Sequence, residues 1–270
     1  MDIDLQCLDQ IIDASDHVFE LYTEKTEENQ DLGYVNRTKD HIVIRLPLSE
    51  VELNIKQSLS QLSSKNETSS TGFVCWRASQ ALVDWILSPG SLFHKYFIGR
   101  KLSVVELGTG VGGVCASVLG PLIKQYICTD QKHILKLLKE NIINNVEAFD
   151  SKTIECDKTG DSRIEVVEFD WEEIDYGLYN YHELTDSKPD LIIACDTIYN
   201  EYLIPYFLNA LEAFLTEANG ALIGIQLRDD YTLERFVAQA IERFKLFVIP
   251  DEFLSENLKI GFVVYYIVKI

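Results

Sequence analysis

The amino-acid sequence predicts an α/β fold with an open, mostly parallel sheet that is covered by helices on both faces. From about residue 100, five short apolar runs of the strand type follow one another, and four longer runs with helical spacing lie between or after them. A turn with four glycines follows the first of these strands, at 108–113. Strands that are apolar along their length and alternate with helices are typical of parallel sheets that are buried on both faces.

Residues 1–70 have a different pattern and are predicted to form an N-terminal extension. Apolar residues recur at helical spacing over residues 3–12, which predicts a helix there. Apolar and polar residues alternate over 41–57, with a break at Pro47, which predicts a β-hairpin. The Ser-, Asn- and Thr-rich stretch 63–71 predicts a polar linker. No motif in this extension assigns its role, although we expect it to shape substrate recognition.

Residues 71–270 are predicted to form the α/β domain. It begins with the turn TGFVCW, which leads into an amphipathic helix with Ala78, Ala81, Leu82 and Trp85 on one stripe. The predicted strands are LSVVEL, QYICTD, IEVVEF, PDLIIACD and GALIGIQL, followed by KLFVIP and GFVVYYIVKI. The predicted helices are VGGVCASVL, HILKLLKENIINN, LIPYFLNALEAFL and TLERFVAQAIERF. The polar stretch 145–163 is predicted to be an enlarged loop.

The charge of the protein limits its partners. It carries 43 acidic and 24 basic residues, for a net charge of −19. A field of this sign repels phosphate backbones and anionic membranes, and it attracts basic proteins. Acidic surfaces also serve solubility alone. The sequence therefore argues against direct nucleic-acid binding and is compatible with a basic protein substrate.

The cysteines and histidines indicate a reduced protein without a metal site. The six cysteines include no C-x-x-C pair, and the five histidines have no metal-ligand spacing with one another or with the cysteines. The N-terminus has no signal peptide, and no apolar run is long enough to span a membrane. We expect a cytoplasmic monomer that does not bind a membrane.

The glycine-rich turn is the motif that carries the chemistry. Glycines let the chain turn tightly and approach a ligand without a β-carbon in the way. The spacing Gly108-x-Gly110-x-x-Gly113 also fits the dinucleotide fingerprint, so an NAD-dependent oxidoreductase is an alternative. Glu106, two residues before the first glycine, is typical of methyltransferases, in which it faces the methionine ammonium group. A second mononucleotide-binding half is also missing. The turn therefore predicts S-adenosylmethionine as the cofactor.

Acidic and aromatic residues follow the next two strands. Asp130 ends the second strand, about twenty residues beyond the glycines, where a carboxylate can accept hydrogen bonds from ribose hydroxyls. Its alternative role is that of N-cap for the next helix. The third strand ends in EFDW, which predicts that Trp171 stacks on the adenine and that Asp170 accepts from its exocyclic amine. A buried core tryptophan is the alternative for Trp171.

The fourth strand ends in ACDTIYNEY, which predicts the catalytic edge. Methyl transfer to an amine mainly needs alignment of a neutral nitrogen, since the leaving group is already activated. Burial favours the neutral form of a lysine, whereas a nearby carboxylate opposes deprotonation. We therefore assign Asp196 and Tyr199 to binding and orientation rather than to base catalysis. A cap for the following helix is the alternative role for Asp196.

Taken in order, TGFVCW, ELGTGVGG, CTD, EFDW and CDTIY resemble the methyltransferase-like family of seven-strand protein-lysine methyltransferases. Residues 196–199 match that family's D-x-x-Y motif. The resemblance implies a class I S-adenosylmethionine-dependent methyltransferase fold, with a Rossmann-like seven-stranded sheet, and methylation of a protein lysine. YICTDQKHILKLLKENI and ACDTIYNEYLIPYFLNAL are similar to a fungal branch of the family that modifies a large-subunit ribosomal protein of the tRNA-exit-side stalk.

The resemblance also implies further cofactor contacts. Trp76 would close over the methionine end, and Gly108, Thr109 and Gly110 would contact it through their backbone. Cys195 would line the pocket floor, where many members have alanine or another small residue. From the residues alone, Trp76 is equally compatible with a core position.

The glycine turn is also compatible with a methyltransferase that acts on nucleic acid or on a small molecule, and with a non-catalytic scaffold. Base-methylating enzymes usually have a Pro-Pro-Tyr type motif where this chain has DTIY. The net charge of −19 also argues against a nucleic-acid substrate. A protein lysine is therefore the predicted target.

Overall fold

The computed structural model describes residues 3–25, 32–62, 71–99, 101–146, 154–155 and 162–270. The strands are β1 Asp9–Gln10, β2 His41–Leu46, β3 Val51–Lys56, β4 Ser103–Leu107, β5 Gln125–Asp130, β6 Ile154–Glu155, β7 Arg163–Glu168, β8 Leu191–Cys195, β9 Gly220–Gln226, β10 Phe244–Val248 and β11 Phe262–Lys269. The helices are α1 Ala14–Glu24, α2 Leu59–Leu62, α3 Arg77–Ile86, α4 His94–Phe97, α5 Val114–Leu119, α6 Lys132–Asn145, α7 Ile174–His182, α8 Ile204–Phe214, α9 Asp230–Arg243 and α10 Glu256–Lys259. The predicted linker and most of the predicted enlarged loop lie outside the described residues.

The main sheet has the strand order β1-β10-β11-β9-β8-β4-β5-β7-β6. Strands β7, β5, β4, β8 and β9 are parallel, and β11 and β10 continue the sheet in antiparallel pairing. The predicted seven-strand α/β sheet is thus confirmed, with the two-residue strands β1 and β6 added at its edges. Strand β4 lies between β5 and β8, so the chain order reverses there. Such a switch point leaves a crevice for a ligand at the carboxyl ends of the strands.

Two apolar layers cover the sheet, because its central strands are apolar on both faces. All seven residues of β9 are buried, as a strand between two helical layers requires. One layer contains Leu82 of α3, Leu119 of α5 and Leu138 of α6. The other contains residues of α1, α7, α8 and α9. Every helix in the described part of the chain is too short or too polar to cross a membrane.

The N-terminal segment packs into the same core. The predicted hairpin is confirmed, with β2 pairing β3 from His41 opposite Lys56 to Leu46 opposite Val51. The predicted N-terminal helix is present as α1, but it begins later than the apolar spacing over residues 3–12 indicates: residues 5–7 form a 3-10 turn, and β1 joins the edge of the main sheet beside β10. Helix α1 begins after Asp13, whose side chain accepts a hydrogen bond from the Asp16 N–H at 3.0 Å. The domain boundary at residue 70 stays a prediction.

Helix α7 was not predicted from the sequence. It contains Gly177, a poor helix former, and several tyrosines. The structure explains the glycine, because a β-carbon on Gly177 would fall 2.8 Å from the ring of Phe169. Helix α7 therefore packs closely on Phe169, the residue that follows β7, and Gly177 leaves the space for this contact.

Candidate active site

A cavity lies at the carboxyl ends of β4, β5, β7 and β8 and encloses about 860 Å³, including its open mouth. The predicted site residues that line it are Trp76, Gly108, Thr109, Gly110, Asp130, Asp170, Trp171, Cys195, Asp196 and Tyr199. Glu106 does not line the cavity and is buried close beside Cys195. The structure thus brings residues from five separate segments to one place.

The glycine turn forms the wall next to β4. Gly108 and Gly110 have φ angles of +72° and +66°, which favour glycine. A β-carbon on Gly108 would fall 3.0 Å from Cγ2 of Thr197 and 3.1 Å from Cζ2 of Trp171. The N–H groups of Gly108 and Thr109 both donate to the carbonyl of Thr129 at 3.0 Å, which ties the turn to β5. The turn therefore needs glycine both for its conformation and for space.

Asp130 supports the turn from the end of β5. Its Oδ2 accepts a hydrogen bond from the Gly110 N–H at 2.7 Å, and its Oδ1 accepts from the Gln131 N–H at 2.8 Å. The alternative role as N-cap is wrong, because Gln131 is the N-cap of α6. Each carboxylate oxygen retains acceptor capacity for a further donor, such as a ribose hydroxyl. Burial raises the pKa of Asp130 to about 6.

Asp170 and Trp171 lie beside Asp130. Asp170 caps the short helical turn 171–173 by accepting from the Glu172 N–H at 3.1 Å, and it also accepts from Nε2 of Gln131 at 2.9 Å. Trp171 is partly buried and packs edge-on against Phe207, with ring centroids 5.2 Å apart. It is therefore a cavity wall rather than a fully buried core residue.

Trp76 precedes α3 and closes the other side of the cavity. Its indole Nε1–H donates to the Thr71 carbonyl at 3.1 Å. Its ring stacks on Tyr34, with centroids 4.6 Å apart, and the guanidinium of Arg228 lies 5.0 Å from its centroid. Trp76 is partly exposed, so the alternative of a core position is wrong. Tyr34 and Arg228 lie far from Trp76 in sequence, and no local pattern identifies them.

The floor combines two thiols and a carboxyl group. The sulfur atoms of Cys115 and Cys195 lie 3.7 Å apart, and the Tyr126 hydroxyl donates to Glu106 at 2.9 Å. Burial raises the pKa of Glu106 to about 7. One atom each of Glu106, Cys115 and Cys195 lies within 4.8 Å of the others, but all three groups have hydrogen-bond partners within the protein. The absence of a metal site stays a prediction.

Asp196 is held by an ion pair that the sequence did not predict. Its two carboxylate oxygens accept from the two terminal nitrogens of Arg228, with Oδ1 2.8 Å from Nη1, and the Asp196 side chain is 1% exposed. The φ angle of Asp196 is +59°, a conformation that Asp and Asn tolerate better than most residues. The alternative role as a helix cap is wrong, since Asn200 caps the next helical turn by accepting from the Tyr202 N–H at 3.0 Å.

A second cavity adjoins the first and encloses about 920 Å³, including its open mouth. The two cavities share Thr71, Trp76, Asp196 and Tyr199. Tyr199 is 45% exposed and lies on their common border. The first and last residues of the D-x-x-Y motif, Asp196 and Tyr199, therefore line both cavities.

The chain is similar in sequence to a known family of proteins. A sequence profile of a family described as lysine methyltransferase matches residues 56–243. The ribosomal lysine N-methyltransferase 5 of Lachancea thermotolerans is 32% identical over 320 aligned positions, covering 93% of this chain and 95% of that protein. The protein of the same name from Zygosaccharomyces rouxii is 31% identical and covers 90% of this chain and 93% of its own length. A ribosomal protein L11 methylase structure from Lactobacillus delbrueckii subsp. bulgaricus aligns with 86% of this chain and 99% of that chain, with a TM-score of 0.48 and 16% identity.

Proposed function

The chain belongs to the lysine methyltransferase family, and from this premise we propose that it methylates a lysine of a large-subunit ribosomal protein. It is an S-adenosylmethionine-dependent protein-lysine N-methyltransferase. Two relatives whose names state ribosomal lysine methylation cover nearly its whole length. The net charge of −19 is suited to a strongly basic substrate. Ribosomal protein modification would take place in the cytoplasm, and the monomeric state and the lack of direct nucleic-acid contact stay predictions.

We propose that the first cavity holds the cofactor. The fit is supported by Gly108, which leaves room for a ligand where a β-carbon would fill the turn. It is also supported by Thr197, whose buried Oγ1 has no hydrogen-bond partner within the described residues. Asp130 would accept from the ribose, and Asp170 and Trp171 would contact the adenine. Trp76 and the backbone of 108–110 would enclose the methionine end, with Glu106 behind it and Cys195 in the floor.

The position of residues 196–199 between the two cavities is the observation that carries the proposal. Bound S-adenosylmethionine supplies a methyl group on a sulfonium, which needs no acid to activate its leaving group. Trp76 and the backbone of 108–110 would hold the bound group, which would supply the methyl carbon to a lysine nitrogen and keep the electron pair of its carbon–sulfur bond. The protein therefore has to bring in a neutral amine in line with that bond. Tyr199 on the border and Asp196 in the wall would orient it.

The substrate is tested with large ribosomal subunits from a yeast that lacks its own enzyme of this type. The chain and tritiated S-adenosylmethionine are expected to label one ribosomal protein on lysine, as identified by mass spectrometry. The Gly108→Val variant is the matched control and is expected to give no label. Label confined to ribosomal RNA or to small molecules would overturn the proposal, and label on a non-ribosomal protein would overturn the ribosomal assignment.

A further inference from the structure

The second cavity has the chemistry of a passage for a lysine side chain. Its walls include Ile198, Ile225 and Leu233, which are buried, together with the aromatic side chain of Tyr22. A lysine carries four methylene groups that pack well against apolar walls while its charged end remains polar. The cavity leads to Tyr199 and Asp196, which it shares with the cofactor cavity. A lysine that enters here would therefore bring its nitrogen to the proposed methyl-transfer site.

Two carboxylates line this cavity, those of Asp229 and Asp196. Asp229 is exposed and caps α9 by accepting from the Thr232 N–H at 3.1 Å, and its charge would attract the ammonium group of an approaching lysine. At the inner side, the carboxylate of Asp196 is paired with Arg228 through both of its oxygens. The pair of Asp196 and Arg228 carries no net charge, so an amine that reaches the inner end does not meet an unpaired carboxylate.

Arg228 is fixed in this place by three other parts of the chain. Its Nε–H donates to the Leu32 carbonyl at 2.8 Å, and its guanidinium lies 5.0 Å from the ring centroid of Trp76. Its Nη2 also lies 3.5 Å from Oε1 of Gln226. A planar guanidinium that is always charged suits a paired carboxylate better than an ammonium group does. The arrangement would hold the pair together while a substrate enters.

We infer that the second cavity receives the side chain of the target lysine and that Arg228, by neutralising Asp196, lets its amine lose the proton before methyl transfer. The inference rests on the proposed orientation of the lysine by Asp196 and Tyr199. An unpaired carboxylate within about 4–6 Å would favour the ammonium form by about 1–3 pKa units, and that form has no lone pair to attack with. The proton leaves to water as the lysine enters the apolar walls. Arg228 is thus a positioning residue, since it acts on the lysine through Asp196.

The titratable groups near Arg228 are alternative sources of a pH dependence of kcat. The residues with titratable or charged side chains on the elements around it are Tyr22 of α1, Tyr34, Arg77 of α3, Asp196, Tyr199, Asp229 and Asp230. Burial raises the pKa of Tyr22, so its hydroxyl stays protonated at neutral and mildly alkaline pH. Glu106 in the floor of the cofactor cavity also has a pKa raised to about 7 by burial, so kcat is measured with saturating cofactor. The part of the acidic limb that moves when Arg228 is replaced is expected to belong to the bound lysine, and a part near pH 7 that does not move would belong to Glu106.

The first test compares the pH dependence of kcat in three variants. In Arg228→Gln the acidic limb is expected to move up by about 1–3 pH units, because Asp196 then stabilises the lysine ammonium. In the double variant Asp196→Asn/Arg228→Gln the limb is expected to return toward that of the wild type, since both charges are gone. In Arg228→Lys, which keeps the positive charge, the limb is expected to move less. Cofactor affinity and thermal unfolding, measured in parallel, report whether each variant is folded.

The inference is overturned if Arg228→Gln lowers kcat by the same factor at every pH. It is also overturned if the acidic limb of the double variant lies at as high a pH as that of Arg228→Gln. If Arg228→Gln does not fold, the double variant Asp196→Asn/Arg228→Gln is compared with the wild type alone. An acidic limb that is shifted upward in the double variant would also contradict the inference. The rates use whichever lysine-containing protein the wild-type chain labels. A non-ribosomal substrate would thus overturn the substrate proposal without affecting this test.

The second test concerns the passage itself. Leu32 lines the second cavity and is 53% exposed, and Leu48, in the turn between β2 and β3, is 46% exposed. Leu32→Lys would place a positive charge on the path of the lysine and is expected to raise the protein-substrate KM several-fold, with a smaller effect at high salt. Cofactor affinity is expected to stay unchanged, and Leu48→Lys is the matched control. Equal KM values in the two variants would overturn the assignment of the cavity.

Discussion

The backbone of Gly33 lies against the side chains of Gln226 and Arg228: a β-carbon on Gly33 would clash with Oε1 of Gln226 and would fall 2.7 Å from Nη2 of Arg228. Gly33 has a φ of +82°, and its carbonyl accepts from the Arg77 N–H at 2.9 Å. The N–H of Val35 donates to the Cys75 carbonyl at 3.0 Å. The segment from Leu32 to Val35 therefore runs across the entrance to α3 and covers Arg228. The N-terminal part of the chain contributes directly to the proposed site.

Replacement of Gly33 by alanine is expected to displace the side chain of Gln226 and, with it, Arg228 from Asp196, and to lower kcat more than it lowers cofactor affinity. Gly261→Ala is the matched control, because Gly261 has a similar φ of +76° and open space around its β-carbon position. Both variants carry backbone strain on the order of 1 kcal/mol, but Gly33→Ala alone carries the clash. Kinetics and thermal unfolding of the two proteins check this. Identical losses would show that the contact with Arg228 has no part in activity.

Replacement of Gly108 by valine is expected to abolish cofactor binding while the protein stays folded. A β-carbon there meets Thr197 and Trp171, and the φ of +72° disfavours a β-branched residue. Gly90→Val is the control, since Gly90 has nothing within 4 Å of its β-carbon position. Calorimetric titration with S-adenosylhomocysteine measures the effect. Near-normal affinity in Gly108→Val would contradict the assignment of the turn to the cofactor.

Replacement of Glu106 by glutamine is expected to stabilise the protein without cofactor at alkaline pH but not at acidic pH. Burial raises the pKa of Glu106 from 4.5 to about 7, so the folded state favours the neutral acid. The wild type therefore loses stability relative to Glu106→Gln as pH rises from about 4.5 to about 7, and the difference is constant above that. The full difference is on the order of 3 kcal/mol. Urea unfolding at pH 4.5 and pH 8 checks this, and a difference independent of pH would contradict it.

The same substitution is expected to weaken cofactor binding, because the buried Glu106 is proposed to lie behind the methionine end of the cofactor, where its negative charge would attract the ammonium group. In the wild type, affinity is expected to tighten as pH rises through about 7, where the carboxyl group loses its proton. In Glu106→Gln this dependence is expected to vanish. Calorimetry across pH 6–8 measures both effects. A wild-type pH dependence that persists in the variant would assign it to another group.

Replacement of Asn141 by alanine is expected to destabilise the hairpin together with the glycine turn. Its Nδ2 donates to the carbonyls of Lys56 and Val111 at 2.7 Å, and its Oδ1 accepts from the Lys56 N–H at 2.8 Å. Asn141 is fully buried, so the backbone groups left unpaired make the loss on the order of 3 kcal/mol. Asn145→Ala is the control: Asn145 makes similar bonds to Asn54 but is partly exposed. Its loss is expected to be about 1 kcal/mol, and equal urea midpoints would contradict this account.

The sequence predicted those features that depend on residues close together in the chain. The apolar runs identified the seven main strands, since a strand buried on both faces needs apolar residues along its whole length. The glycine turn was recognised because a positive φ and close packing at Gly108 require the same residue. The spacing over residues 3–12 placed the N-terminal helix too early, because the edge of β10 was available there: the Ile11 N–H donates to the Leu246 carbonyl at 2.9 Å.

Taken alone, the amino-acid sequence determined the α/β order of elements, the glycine turn and the D-x-x-Y segment, because each depends on residues close together in the chain. Only the tertiary structure decided what Asp196 does. Its partner Arg228 lies 32 residues away, and Arg228 in turn is bound by the Leu32 carbonyl, 196 residues from it. The sequence around a carboxylate does not indicate which distant guanidinium it pairs with. The pairing arises because the sheet brings the ends of β8 and β9 together and the N-terminal segment crosses over them.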